Sequence, residues 1–399
     1  MGSYLLLTNT SSNLAEFKCI GHTRSEQLSA PKGSSHLFID NVRFLSMAAV
    51  VGLHCVCGFA ILAGVNSERF LAGLGQPFKF GTIGFFLISG FLMGEGLQRR
   101  SPVNYLSRRV RTILAPWTVW FVSFIVLKLV WWFAKYPGLF CSFERRASFA
   151  MRTFHFCLFE TAFWFVPNLL FAVSLVVFCR RFLDDLRFGY LLLAISLFYG
   201  LNIHAGWISL QSHTEALFGF AFYLWLGAWS ARHRAALDRW LSSLSISKLV
   251  AVAGLTGLAG FGESSRIVLT GTTDAMNTLR ISNQLYSVAV VLLIYKAKGQ
   301  ITPRFIDARS STFGIYLSHT LVMSVLMSMS FHLHLPEFFG RPGRDYPAVA
   351  SVYVLCGFLM TYFISLLLTR LLLTSRYLGW TVGGAAVRSR QSDLRPTPS

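Results

Sequence analysis

The stretch FIDNVRFLSMAAVVGLH, residues 38–54, begins with an acid and a base and continues as an apolar run. Beyond Arg43 it has no formally charged residue, which is typical of a helix that crosses a lipid bilayer. His54 follows Arg43 by eleven residues and falls near the middle of the expected span. Because an ionisable side chain is costly at that depth, such a residue is a candidate functional group. The stretch therefore predicts a membrane helix that carries a polar site.

The composition of the whole chain agrees with this interpretation. Of the 399 residues, 54% are hydrophobic and only 13% are charged, with a mean hydropathy of +0.53. A soluble domain cannot bury so much apolar surface. The sequence predicts an all-α, polytopic membrane helical bundle.

Ten apolar segments are separated by mostly short connectors, so we expect about ten transmembrane helices in one membrane domain. The seventh segment is short and rich in glycine. The segments are approximately 43–64, 80–97, 113–133, 161–179, 188–206, 215–231, 248–262, 282–297, 312–333 and 348–374.

The basic residues predict the orientation of the bundle. With ten spans, 25 of the 36 Lys and Arg residues fall on the side of the N-terminus and 10 on the other side. Since basic residues concentrate in cytoplasmic loops, both termini are expected in the cytoplasm. The predicted domains are a mobile cytoplasmic arm (1–36), the transmembrane domain (37–375) and a basic cytoplasmic tail (376–399).

The net charge of +19 does not indicate nucleic-acid binding, because the basic residues lie in short connectors where they contact lipid head groups. Seven cysteines show no metal-ligand spacing, so no metal site is predicted. Cys55 and Cys57 lie two apart on a helix and point to different faces. Cys141 and Cys157 share an outer connector and could pair there, although they could equally be small packing residues.

Arg43 and His54 share one face of the first helix. Eleven residues make about three turns, which separates the two side chains by roughly 16 Å along the axis. Arg43 would stand at the cytoplasmic mouth and His54 near mid-membrane, where an imidazole can accept and return a proton near neutral pH. The alternative is a histidine that only hydrogen-bonds across a helix interface.

A second basic cluster lies in RRSPVNYLSRRVRTILAPW, residues 99–117, which contains five arginines. Arg108 and Arg111 are three residues apart and share a helical face, so their planar side chains could clamp phosphates. The same cluster could instead be a cytoplasmic anchor that sets the topology.

Two further apolar stretches carry polar residues. In STFGIYLSHT, residues 311–320, Tyr316 and His319 share a face, and His319 lies about 10 Å inside the cytoplasmic end of its helix. It could therefore line one cavity with His54 or serve in packing. In FFLISGFLM, Ser89 and Gly90 lie mid-span, where small residues permit close helix approach or make room for a substrate.

Taken together, these motifs resemble the integral-membrane acyltransferase family 3, whose members O-acylate bacterial glycans, lipids and some antibiotics. The resemblance covers roughly residues 38–373 and follows the family's order. It rests on the Arg-x10-His pattern of Arg43 and His54, on FFLISGFL, on the Arg-x-x-Arg of SRRVRTILAPW, on FWFVPNLL with Trp164, and on GIYLSHT.

The resemblance implies a reaction. His54 would be the catalytic base, and Arg43, Arg108 and Arg111 would hold acyl-CoA, with acetyl as the expected acyl group, from the cytoplasm. His54 would take the proton of an acceptor hydroxyl that attacks the thioester; a covalent acyl-histidine relay is the open alternative. Acyl-CoA would be a co-substrate, and no tightly bound cofactor is expected.

Five other residues would support this site: Asp40, Ser89, Trp164, Tyr316 and His319. Asp40 lies one turn before Arg43 and would orient it, or would favour the helix N-terminus. The other four are assigned no defined chemical step.

The expected acceptor is a glycan or lipid-linked sugar at a bacterial inner membrane, with membrane lipid and acyl-CoA as the other partners. The competing hypothesis is a proton-coupled transporter or flippase, in which the histidines relay protons and the arginines only set topology. That hypothesis predicts broken helices in paired halves, and the sequence shows no internal symmetry.

Overall fold

The computed structural model describes residues 32–65, 67–97, 101–136, 138, 142–210, 212–271, 274–297, 299–335 and 347–384. Within these ranges the chain forms helices and no β-strand, which confirms the all-α prediction. Seven helices are long and apolar enough to cross a membrane, or eight if a bent pair counts as one span. The protein is therefore an integral membrane protein.

Thirteen α-helices are described within these ranges. They are α1 (Lys32–Leu62), α2 (Glu68–Gly75), α3 (Gly81–Leu97), α4 (Pro102–Lys135), α5 (Phe143–His155), α6 (Phe165–Phe178), α7 (Leu186–Ala205), α8 (Ala221–Arg232), α9 (Arg234–Ser243), α10 (Ile246–Thr270), α11 (Ile281–Lys296), α12 (Ala308–His332) and α13 (Pro347–Thr374).

Each of the ten predicted segments overlaps one of these helices. The seventh, which looked short, lies in the 25-residue α10 and meets the length and hydropathy expected of a span. Helices α8 and α11 have only 12 and 16 residues, fewer than the roughly 20 that a straight crossing needs. The count of ten spans and the cytoplasmic placement of the termini therefore stay predictions.

Helix connectivity gives the bundle two faces, which we call the near face, where α1 begins, and the far face, where α1 ends. On the near face the Asn41 amide donates to the Gly299 carbonyl at 2.7 Å and accepts from the backbone N–H of Ile301 and Thr302 at 3.0 Å. This buried amide fixes the start of α1 to the connection between α11 and α12. On the far face the Lys79 ammonium donates to the Met276 carbonyl.

Helix α1 lies in the middle of the bundle and packs on α3, α12 and α13. Helices α3 and α8 approach closely because each presents a glycine to the other's backbone. A Cβ at Gly90 would overlap the Leu224 carbonyl, and one at Gly227 would overlap the Leu87 carbonyl. The packing explanation for Gly90 is therefore confirmed.

One bent helix pair shapes the far face. The α5 helix continues as a π-turn to Glu160, and the chain then bends by 69° before a 3-10 turn, Ala162–Trp164, leads into α6. Thr161 stabilises the bend, since its hydroxyl donates to the Cys157 carbonyl at 2.6 Å and accepts from the Phe163 N–H. The segment 143–160 thus ends in the wall of the bundle.

The predicted terminal segments are only partly described. Helix α1 already begins at Lys32, and residues 1–31 of the predicted arm lie outside the described residues. After α13 the chain packs back on the bundle, where the Thr381 carbonyl accepts from the Trp120 indole at 3.0 Å. Residues 385–399 of the predicted tail and Cys141 also lie outside the described residues, so the pairing with the buried Cys157 stays a prediction.

Candidate functional site

Two parallel helices, α1 and α12, carry an arginine and a histidine each at matching levels. Arg43 and Arg309 lie at the near face, and they are close enough to each other for their charges to repel. About three turns further in, the His54 and His319 rings lie 5.4 Å apart between centroids. The predicted convergence of His54 and His319 is therefore observed, although His319 is not among the residues that line the cavity described below.

The near-face cluster is built around Arg43. Its guanidinium pairs with the Asp40 carboxylate at 3.3 Å, one turn earlier on α1, and its side chain is 21% exposed. The pair places Asp40 where it can orient Arg43. Arg109 of α4 and Arg309 also act electrostatically on Arg43, and Arg109 is held by the Tyr105 hydroxyl at 3.1 Å. Excess positive charge at this mouth favours an anionic ligand.

Arg108 and Arg111, two of the three arginines predicted to hold acyl-CoA, lie on the exposed side of α4. The half-buried Arg109 between them turns toward Arg43 instead. The two exposed side chains are free to reach a ligand outside the membrane, and their role in binding stays a prediction.

His319 is fully buried, and its two ring nitrogens have different surroundings. Nδ1 lies 2.7 Å from the Tyr316 carbonyl oxygen, so this nitrogen must carry the proton and donate it. Nε2 is left as an acceptor, and among the described residues it has no hydrogen-bond partner. A buried orphan acceptor is costly and points to a ligand or a proton.

Tyr316 connects α12 to the bent helix pair. Its buried hydroxyl donates to the Ala162 carbonyl, which lies in the 3-10 turn that also carries Trp164. Tyr316 therefore joins α12 to the turn that carries Trp164, and its role in supporting the site stays a prediction. Ser89 lies half-buried on α3 beside Gly90, in the stretch that packs on α8.

A cavity of about 450 Å³ opens on the far side of His54. Its wall combines α1 with the bent helix pair and with the connections α7–α8 and α10–α11. Arg43 does not line this cavity. The cavity therefore reaches His54 from the far face of the bundle, whereas the arginines lie at the near face. The charged, imidazole and indole side chains that line it are those of His54, Lys79, His155, Glu160, Trp164, His213, Glu215 and Asp274.

His213 and Asp274 form a hydrogen-bonded pair in this cavity, with Nδ1 and Oδ2 3.0 Å apart. Burial raises the pKa of the Asp274 carboxyl, but the hydrogen bond and charge of His213, the charge of Lys79 and the Met276 N–H together hold that pKa below its ordinary value of 3.8. The carboxylate is thus ionised at neutral pH. Trp164 lies edge-on to the His213 ring, 5.2 Å away, so both predicted and unpredicted residues share this wall.

Comparison with known proteins decides the class. Residues 36–370 match the family 3 acyltransferase model, which is described as an acyltransferase domain. The chain belongs to acyltransferase family 3. It is accordingly an acyl-transferring enzyme, as the order of its motifs predicted. Neither the curated proteins nor the solved structures that were compared with the chain gave a match.

This acyltransferase holds a buried cation in its cavity that the motifs did not indicate. Lys79 is 3% exposed, and its ammonium is close enough to interact electrostatically with both His54 and Asp274. A fixed positive charge beside a reacting carbonyl can stabilise a developing oxyanion.

Three cavity residues were therefore missed from sequence: Lys79, His213 and Asp274. Lys79 directly precedes an apolar segment, where a lysine is ordinarily an interface anchor. His213 and Asp274 lie in two connectors 61 residues apart, and no local spacing relates them. The one available signal was that the connector around His213 contains no Lys or Arg, unlike its neighbours.

Proposed function

We propose that this enzyme transfers an acyl group, acetyl in the simplest case, from cytoplasmic acyl-CoA to a hydroxyl of a glycan or lipid-linked sugar. The single observation that carries the proposal is the position of His54. It lies on the same helix as Arg43, whose guanidinium belongs to the near-face cluster, and it also lines the far-face cavity. A histidine so placed can meet a donor from one side and an acceptor from the other.

The donor would bind at the near face. Arg43, Arg109 and Arg309 form the inner part of the basic mouth, and Arg108 with Arg111 extends it outward. Guanidinium groups bind phosphates through paired hydrogen bonds, which suits the phosphates of acyl-CoA. The pantetheine arm would then follow the interface of α1 and α12 toward His54.

The acceptor would occupy the far-face cavity. Carboxylates, imidazoles and the Trp164 indole line this space, and such polar groups can hydrogen-bond several hydroxyls while an aromatic ring packs on an apolar face. With the near face cytoplasmic, the acceptor side is the outer side of a bacterial inner membrane.

At the meeting point, the simplest role of His54 is that of a general base. It takes the proton of the acceptor hydroxyl, the oxygen attacks the thioester carbonyl, and the departing thiolate of CoA receives the proton. Lys79 stabilises the negative charge that develops on the carbonyl oxygen.

The test uses purified protein in detergent with radiolabelled acetyl-CoA and bacterial envelope glycans. Wild type should form labelled, base-labile ester, and His54→Ala should lose at least about 10²-fold of that activity, the lower end for acid–base catalysis. His332→Ala is the control, because this exposed histidine ends α12 away from the cavity. Full activity in His54→Ala would remove His54 from the reaction. Uptake of labelled glycan into proteoliposomes without ester formation would favour transport instead.

A further inference from the structure

Three histidines, His54, His155 and His213, line the same cavity, and among the described residues His213 alone of the three pairs with a carboxylate. His213 pairs with Asp274, whereas the described neighbour of the His54 ring is the His319 ring. His213 is also close enough to His54 for their charges to interact. The two imidazoles are therefore equipped for different tasks within one site.

The geometry of the His213–Asp274 pair is that of a general base. The Nδ1–H donates to the carboxylate, which fixes the tautomer and leaves the Nε2 lone pair as the acceptor. The carboxylate also stabilises the imidazolium that forms when Nε2 takes a proton. The side chains are 19% and 24% exposed, so the pair lies at the cavity wall within reach of an entering acceptor.

The surroundings of His54 suit a nucleophile. Among the described residues, the groups that interact with it electrostatically are His319, Lys79 and His213, none of them a carboxylate. A neutral imidazole between a lysine and two histidines keeps an available lone pair. The orphan Nε2 of His319 nearby is an acceptor for the proton that His54 must lose on acylation.

From this arrangement we propose that His54 carries the acyl group covalently, and that His213, held by Asp274, removes the proton from the acceptor hydroxyl. The proposal rests on the proposed function and selects the relay over direct transfer. Direct transfer needs one imidazole, which can take and return the proton. A relay needs two, because an acylated His54 can no longer act as a base.

The two half-reactions balance. In the first, a His54 nitrogen attacks the thioester carbonyl, the C–S bond breaks, CoA leaves as thiolate, and the remaining ring proton of His54 passes to His319 and then to the thiolate. In the second, His213 takes the acceptor proton, the oxygen attacks the acyl carbon, and the C–N bond to His54 breaks. The proton on His213 then restores neutral His54.

The relay predicts a reaction that needs no acceptor. Purified enzyme is incubated with unlabelled acetyl-CoA and radiolabelled CoA, and label should appear in acetyl-CoA because the first half-reaction is reversible. Direct transfer to water or to a glycan cannot produce this exchange. Release of CoA thiol by hydrolysis is followed in parallel, with water as the acceptor in the second half-reaction.

Substitutions separate the two histidines. His54→Ala should abolish both exchange and thiol release. His213→Gln and Asp274→Asn should keep exchange within about threefold of wild type and slow thiol release by at least about 10²-fold. His204→Gln is the matched control, since His204 also pairs with a carboxylate, Glu263, at 2.8 Å but does not line the cavity. It should leave both rates unchanged.

Each of the following outcomes would overturn a defined part of the proposal. Thiol release without exchange in wild type would overturn the covalent intermediate while leaving the acyltransferase proposal intact. Loss of exchange in both dyad variants, with monodisperse protein by size-exclusion chromatography, would overturn the role of His213 in the second step. Wild-type protein that neither releases thiol nor acylates any glycan would overturn the proposed function and, with it, the relay.

Discussion

The Nε2 atom of His319 has no hydrogen-bond partner among the described residues, and the His319 ring lies 5.4 Å from the His54 ring between centroids. Its Nδ1–H is committed to the Tyr316 carbonyl at 2.7 Å. One nitrogen thus bonds the helix backbone, and the other remains an unpaired acceptor in the ring beside His54. The two functions can be separated by substitution.

We expect His319→Gln to retain more activity than His319→Asn. A glutamine amide reaches the position of Nε2, whereas an asparagine amide reaches only that of Nδ1. His319→Asn should therefore keep the donor to the Tyr316 carbonyl and near-wild-type thermal stability, but lower kcat by about 10²-fold or more. Steady-state thiol release and the melting temperature in detergent are the two measurements. Equal kcat for wild type and His319→Asn would show that Nε2 has no catalytic role.

The exposed arginines of α4 should contact the phosphates of acyl-CoA and no other part of the donor. Arg108→Ala and Arg111→Ala should each raise the KM for acetyl-CoA by roughly 10-fold or more, because a hydrogen bond to a charged group contributes about 1.5–3 kcal/mol. The KM for acetyl-pantetheine, which lacks the nucleotide, should not change. Initial rates with the two donors provide the comparison.

The matched control for this prediction is Arg239→Ala, an exposed arginine of α9 on the same face of the bundle. It should leave both KM values unchanged. If Arg108→Ala and Arg111→Ala leave the KM for acetyl-CoA unchanged, the outer arginines serve only to orient the helix, as the alternative interpretation of this cluster holds.

The sequence was sufficient for the class of fold, whereas a path along α1 from Arg43 to His54 stays a prediction. Its apolar segments predicted the helices, since each must satisfy its backbone within lipid, and the eleven-residue spacing placed Arg43 and His54 on one face. The same periodic reasoning chose Arg108 and Arg111 correctly as neighbours on a face. Periodicity could not predict that this face of α4 is exposed and that Arg109 faces the basic mouth, because both depend on how α4 packs against the other helices.

The far-face half of the site could not be predicted for a different physical reason. His213 and Asp274 lie in connectors, where no 3.6-residue period relates side chains. They meet only because the α7–α8 and α10–α11 connections are folded over the end of α1. The 12-residue length of α8 and the bend before α6 likewise could not be predicted from hydropathy, because an apolar segment can form a short or bent helix as well as a straight one.

The contribution of the His213–Asp274 pair to stability should depend on pH. The folded-state pKa of Asp274 is lowered below 3.8, so the stabilisation is fully present above that value and is lost as the pH falls through the lower, folded-state pKa. Asp274→Asn should therefore cost about 1.5–3 kcal/mol at pH 7, typical of a hydrogen bond to a charged group. The difference from wild type should shrink below pH 3.8. Denaturant unfolding in detergent across this range measures it, and a difference that does not vary with pH would contradict the assignment.

The close approach of α3 and α8 should be the most sensitive point of the bundle. Because a Cβ at Gly90 or Gly227 would meet a backbone carbonyl of the facing helix, the helices must separate to admit it. We expect Gly90→Ala and Gly227→Ala each to cost about 1–3 kcal/mol, the usual range for overpacking. Gly254→Ala on α10 is the control, since a Cβ there meets no atom within 4 Å, and alanine favours a helix over glycine. Melting temperatures should fall for the first two variants and hold or rise for the third. If all three behave alike, helix propensity and not the contact between α3 and α8 governs the stability of this region.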